Sequence, residues 1–144
     1  MLAAAEHTDG CLAIVECVLP AGARLPPHVH QAEDLALYVV EGELQLHCDG
    51  ATWTVSGGGF VRLPRGVSHT VGVLGRRPAR LLLLAWPSGM EELLVELGGS
   101  VAGVLPLDQE SNRRHLQAIA AKYQVTGFPD EPAPGAAERA DDQP

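Results

Sequence analysis

Between Cys11 and Trp86 the hydrophobic residues come in short bursts, and Gly, Pro or Asp-Gly separates each burst from the next. CLAIVECVL, from Cys11 to Leu19, carries one acid at Glu16, as a strand with one partly wet face does. Pro20 ends it, and a loop with Gly22, Pro26 and Pro27 follows. Then come HVH, LALYVV, ELQLHC, TWTV, FVRLP, SHTVGVL and ARLLLLAW, divided by Glu41-Gly42, Asp49-Gly50, the glycines 57 to 59 and Arg65-Gly66. Short strands so regularly punctuated predict an all-β barrel or sandwich.

After residue 87 the period changes. Ser88, Gly89, Met90 and Glu91 fit a capping box, Leu93, Leu94 and Leu97 keep a helical spacing, and Gly98 supplies a stop. A second helix, starting near Asp108 or Ser111, sets Leu116, Ile119, Ala120 and Tyr123 on one face. Beyond Gly127 the chain is rich in Pro, Ala and acid, too poor in apolar surface to offset the entropy of ordering. The expected organisation is one domain over 1–127, with a barrel core at about 10–87 and helices at about 88–125. A disordered Pro/acid-rich tail is expected over 128–144.

Composition narrows the partners. The net charge of −8 is concentrated at the end: Asp130, Glu131, Glu138, Asp141 and Asp142 stand against Arg139 alone. No basic stripe with stacking aromatics exists to neutralise phosphates, which argues against nucleic acid. The longest apolar run, Leu81 to Pro87, is far short of a bilayer span, and MLAAAEHTDG has neither a basic start nor a long apolar core. Cys11 and Cys17 would lie roughly 20 Å apart along an extended strand, too far for a disulfide. With Cys48 they make an odd count without regular spacing, so a reducing compartment and a cytoplasmic, soluble protein are expected.

The chemistry sits in PPHVHQAEDLALYVVEGE, residues 26 to 43. Alternation along a strand puts His28 and His30 on one face with Val29 opposed. Pro64-Arg65-Gly66 forms a turn that leads into a strand beginning at His69. If these two strands are neighbours, three imidazoles converge; if not, the histidines are ordinary wall residues. The same parity sets Leu35, Leu37 and Val39 on one inward face and Val71 and Val73 on another, an apolar pocket. Arg62 is its one nearby cation, read either as a holder of carboxylate or phenolate or as an exposed strand charge. His47, His7 and His115 are read as surface residues, Glu16, Glu41 and Glu43 as solvated acids, and Cys48 as a small buried hydrophobe.

These spacings resemble the cupin superfamily, in particular small single-domain bacterial cupins. Gly22, His28, His30 and Gly42 match the first motif of that family, G-x5-H-x-H-x4-E-x6-G, and Gly58, Pro64, Gly66 and His69 match its second, G-x5-P-x-G-x2-H-x3-N. Two positions depart from the pattern. Leu35 stands where the family has its metal-ligand Glu, and Val73 stands at the Asn position. Glu33 and Asp34 fall two places and one place short of the acid position and are not assigned as ligands.

The resemblance implies a jelly-roll β-barrel, a homodimer, and one divalent transition metal (Fe, Ni, Mn or Zn) held by His28, His30 and His69. An all-histidine centre keeps the full cationic charge and suits an anionic, chelating small molecule. The leading expectation is therefore a dioxygenase-like enzyme acting on a hydrophobic enolisable or phenolic metabolite. Two alternatives stay open: a non-oxidative cyclase or isomerase of polyketide-like secondary metabolism, and a non-catalytic small-molecule binding protein.

Overall fold

ARLLLLAW is apolar almost throughout, yet the fold sorts it by parity: Ala79, Leu81, Leu83 and Ala85 are buried, Leu82 and Leu84 half-buried, and Arg80 exposed. In the computed structural model, which describes residues 2–96 and 110–127, this strand is the eighth of nine. The elements run α1 (Ala5–Thr8), β1 (Ala13–Leu19), β2 (Arg24–His30), β3 (Asp34–Glu41), β4 (Glu43–Cys48), β5 (Ala51–Ser56) and β6 (Phe60–Leu63). There follow β7 (His69–Val73), β8 (Ala79–Trp86), α2 (Met90–Glu96), α3 (Glu110–Lys122) and β9 (Val125–Thr126).

The strands form two antiparallel sheets, one ordered β1-β8-β3-β6 and the other β5-β4-β7-β2-β9. Among the described residues no ladder joins the sheets, so the expected barrel takes the form of an open jelly roll of two facing sheets. Between them lies the main core, with Leu35, Leu37, Val39 and Leu63 from the first sheet and Leu44, Leu46, Val71 and Val73 from the second. A second cluster joins Leu93 of α2, Leu116, Ile119 and Ala120 of α3, and Val125 of β9. No helix among the described residues is long and apolar enough to cross a membrane.

Three local structures differ from the sequence expectation. Pro26 and Pro27, expected in a loop, lie inside β2. There Leu25 pairs with Val71 and His28 with His69, three residues against two, so one extra residue bulges out of the ladder. Proline lacks the N–H that a ladder needs and belongs in such a place. At α2, Ser88 does not cap: its hydroxyl donates to the Gly10 carbonyl, and the buried Glu91 carboxylate accepts from Gly89 N and Ala5 N. The third difference is β9, too short to carry a period of its own, which follows α3 and adds to the edge of β2. Leu97, Gly98, Asp108 and the tail 128–144 lie outside the described residues.

Gly42 shows why one motif glycine is needed. Its φ is +92°, and a Cβ there would stand 2.8 Å from Ala79 Cα and 2.9 Å from the Pro78 carbonyl oxygen. Only glycine lets the β3–β4 turn pass so close to the start of β8.

Candidate metal centre

The bulge in β2 decides which way the histidines face. Leu25 packs inward on the main core, and three residues on, an uninterrupted strand would turn His28 outward. The extra residue at Pro26-Pro27 restores the parity, so His28 sits opposite His69 on the inward side and His30 follows it. All three rings are buried, at 6%, 3% and 2% exposure for His28, His30 and His69.

The turn between β6 and β7 is tied to the end of β2. Val67 N donates to the Pro64 carbonyl, and Gly66, at φ +77°, occupies the position where such a turn takes positive φ. Gly66 N donates to the His30 carbonyl at 2.9 Å. From the other side the Asp34 carboxylate accepts from Arg65 N at 2.9 Å and from Arg62 Nη2 at 3.3 Å. The two chain segments bearing the ligands are thus clamped to each other by main-chain bonds and one acid.

Within the cluster, ring centroids lie 5.1 Å apart for His28 and His30, 4.4 Å for His28 and His69, and 5.4 Å for His30 and His69. One nitrogen from each can be chosen so that all three lie within 4.8 Å of one another. The Nδ1 atoms are engaged elsewhere: His28 with the Pro26 carbonyl at 2.8 Å, His69 with the Val67 carbonyl at 3.4 Å, and His30 with Glu33 Oε1 at 2.9 Å. A carbonyl or carboxylate only accepts, so each Nδ1 carries a proton, and in the neutral ring that leaves the lone pair on Nε2. That is the tautomer a metal ligand needs.

The surroundings keep His28 and His69 neutral. Burial, then the neighbouring His69, push the pKa of His28 down to about 3, and burial, then His30, push that of His69 down to about 4. Three imidazoles gathered within this distance form a donor set suited to a divalent transition metal.

The expected pocket residues divide. Leu35, Leu37, Val39, Val71 and Val73 are all buried on the inward faces of β3 and β7. Arg62 is not among them. It follows the opposite parity to the inward Val61 and Leu63, and its side chain is 59% exposed on the outer face beside Asp34. The idea that it lines the pocket is corrected on that ground. His47 is exposed, with Nδ1 2.8 Å from Thr52 Oγ1, and Cys48 is buried inward, paired across the sheet with His69.

Sequence reasoning set Glu33 aside, and the structure gives it a place. It is buried at 5% exposure in the turn between β2 and β3, behind His30 rather than among the three converging nitrogens. The available signal was an acid three residues after a ligand histidine, where the chain doubles back.

Comparison with known proteins agrees with this architecture. Residues 15–85 match the model of the cupin domain. A curated relative, quercetin 2,3-dioxygenase of Bacillus subtilis (strain 168), is 27% identical over 124 residues, which is 84% of this chain and 36% of that protein. The chain therefore spans about a third of the length of that relative. Among solved structures, a predicted oxalate decarboxylase from Thermotoga maritima aligns with a TM-score of 0.56 at 22% identity, over 60% of this chain and 76% of that one. KdgF from Halomonas sp. aligns with a TM-score of 0.54 at 24% identity, over 58% and 74%. Together with the two spaced motifs and the two-sheet topology, these likenesses support a small cupin-superfamily protein, with its cupin domain over residues 15–85.

Proposed function

We propose that this protein is a metal-dependent enzyme for a small, hydrophobic, enolisable or phenolic molecule, with oxygenative cleavage as its reaction class. The observation that carries the reading is the buried cluster of His28, His30 and His69, each with its Nδ1 held by an acceptor. A divalent transition metal held by the three Nε2 atoms supplies Lewis-acid or redox chemistry, and with neutral ligands its charge favours an enolate or phenolate.

The chain's own contribution is to hold, orient and exclude. Carbonyl and carboxylate anchors fix the ring planes, so little ordering remains when a ligand arrives. Leu35, Leu37, Val39, Val71 and Val73 pack as buried core on the same inward faces as the histidines, and apolar surroundings favour a greasy carbon skeleton over a sugar or an amino acid. The relative's name points to quercetin, itself phenolic and enolisable, as the first compound to try. A homodimer belongs to this reading, supported by the exposed Val18, Tyr38 and Phe60 on the outer face of the first sheet, and light scattering tests it.

Elemental analysis of protein purified without added metal, beside a His28→Ala/His30→Ala variant, is the primary test. One ion per wild-type chain and none in the variant is expected, and absence from both sinks the proposal. Oxygen consumption with quercetin and a panel of β-diketones then fixes the reaction class. Substrate turnover without oxygen uptake moves the assignment to the non-oxidative cyclase or isomerase, and metal without turnover of any compound moves it to a binding protein.

A further inference from the structure

The acid that the family has at position 35 is missing here, yet a carboxylate is buried beside the cluster. Resting on the metal-binding reading above, we propose that Glu33 supplies from behind His30 the negative charge that a carboxylate ligand supplies directly. Glu33 is then a positioning residue that strengthens His30 as a donor, and it lets a three-histidine centre hold a divalent ion.

The three anchors differ in one respect. His28 and His69 rest their Nδ1 atoms on the neutral carbonyls of Pro26 and Val67, which is enough to set a tautomer. His30 alone rests on a carboxylate, 2.9 Å away with both side chains almost fully buried. An acid at this place therefore adds charge to what a carbonyl already provides. A carboxylate accepting from Nδ1–H makes the opposite nitrogen a better donor, and such partners behind ligands tune affinity strongly.

Neighbouring positions show why the charge enters at residue 33. Leu35 is already inside β3, inward-facing at 2% exposure, opposite Ala85 on one side and Leu63 on the other. Asp34 is turned outward to Arg62 and Arg65. Glu33 precedes the strand, where the chain still passes behind the His30 ring. A buried carboxylate is costly unless paired. A chain needing only a packed turn here has no use for one.

Calorimetric titration of metal-free protein with Zn(II) at pH 7 tests this, comparing wild type with Glu33→Gln. Glutamine keeps an oxygen that accepts from Nδ1–H and removes only the charge. Binding about ten- to a hundredfold weaker is expected, with His30 still in the Nδ1–H tautomer by ¹⁵N NMR of the metal-free variant. Equal affinity overturns this inference and leaves the metal reading intact, whereas a wild type that binds no Zn(II) overturns both. A loss accompanied by a tautomer switch at His30 also overturns it, because orientation alone would then explain the effect. Should Glu33→Gln fail to fold, Glu33→Asp carries the test: affinity within about tenfold of wild type supports the charge role, and a larger loss overturns it.

Discussion

Cys48 and His69 are direct partners across β4 and β7, both buried on the inward face. The thiol is thus part of the wall beside the histidines, and burial raises its pKa. Cys17 is pushed up to about 11, chiefly by burial, while Cys11 is exposed. Since the thiolate is the reactive form, iodoacetamide at pH 8 is expected to add one group rapidly, at Cys11. Cys17 and Cys48 should react only on unfolding, as peptide mass spectrometry will show. Rapid modification of Cys48 would mean that the inward wall is open to solvent.

Acid should destabilise the metal-free protein in a defined window. His28 and His69 have folded pKa values of about 3 and about 4 against 6.5 for the free side chain. Between these limits the unfolded chain takes up protons that the folded chain refuses, so stability is complete above pH 6.5 and falls as pH drops. Each group contributes on the order of 1 kcal/mol per pH unit within its window. Urea midpoints measured from pH 7 to pH 4 should decline, and a His28→Gln/His69→Gln variant should decline less steeply.

Two glycines with positive φ should respond differently to alanine. At Gly42 the new Cβ would meet Ala79 Cα at 2.8 Å, whereas at Gly50, φ +75°, it meets nothing within 4 Å. Gly50→Ala is expected to cost about 1–2 kcal/mol, the penalty of a left-handed backbone. Gly42→Ala adds an overpacking term of about 1–3 kcal/mol. Thermal melting of the two variants gives the ordering, and equal losses would contradict the close approach of β8.

Much of this was legible because strand parity is local. His28 and His30 share a face two residues apart, the Pro64-Arg65-Gly66 turn announces His69, and Leu35, Leu37 and Val39 alternate as any strand does. What was not legible depends on partners distant in sequence. Pro26 and Pro27 read as loop residues until β7 shows that they are a bulge within β2. β9 has only the edge of β2 to define it. Arg62 was the exception, since the inward Leu63 beside it already implied an outward side chain; the lack of another cation near the pocket drew it in. Glu33 needed the path of the turn behind His30, which no period encodes.

Restoring the family's acid should set two effects against each other. Leu35→Glu places a carboxylate at an inward site now 2% exposed and packed in the core, so the metal-free variant should melt lower by about 2–4 kcal/mol of lost stability. Its oxygen donor should at the same time raise affinity for Mn(II), which prefers carboxylate, more than for Zn(II). Parallel titrations with the two ions check the shift in preference. An unchanged ratio would show that position 35 does not reach the centre.

The bulge at Pro26-Pro27 has a consequence for how such a site is gained and lost. Because an extra residue, rather than a choice of side chain, turns His28 and His30 inward, chain length upstream of the ligands acts as a determinant in its own right. Loss of one codon there would rotate both imidazoles to solvent while every ligand remained in the gene. In comparing descendants of this domain, spacing between Leu25 and His28 is therefore as informative about competence as the presence of the histidines themselves.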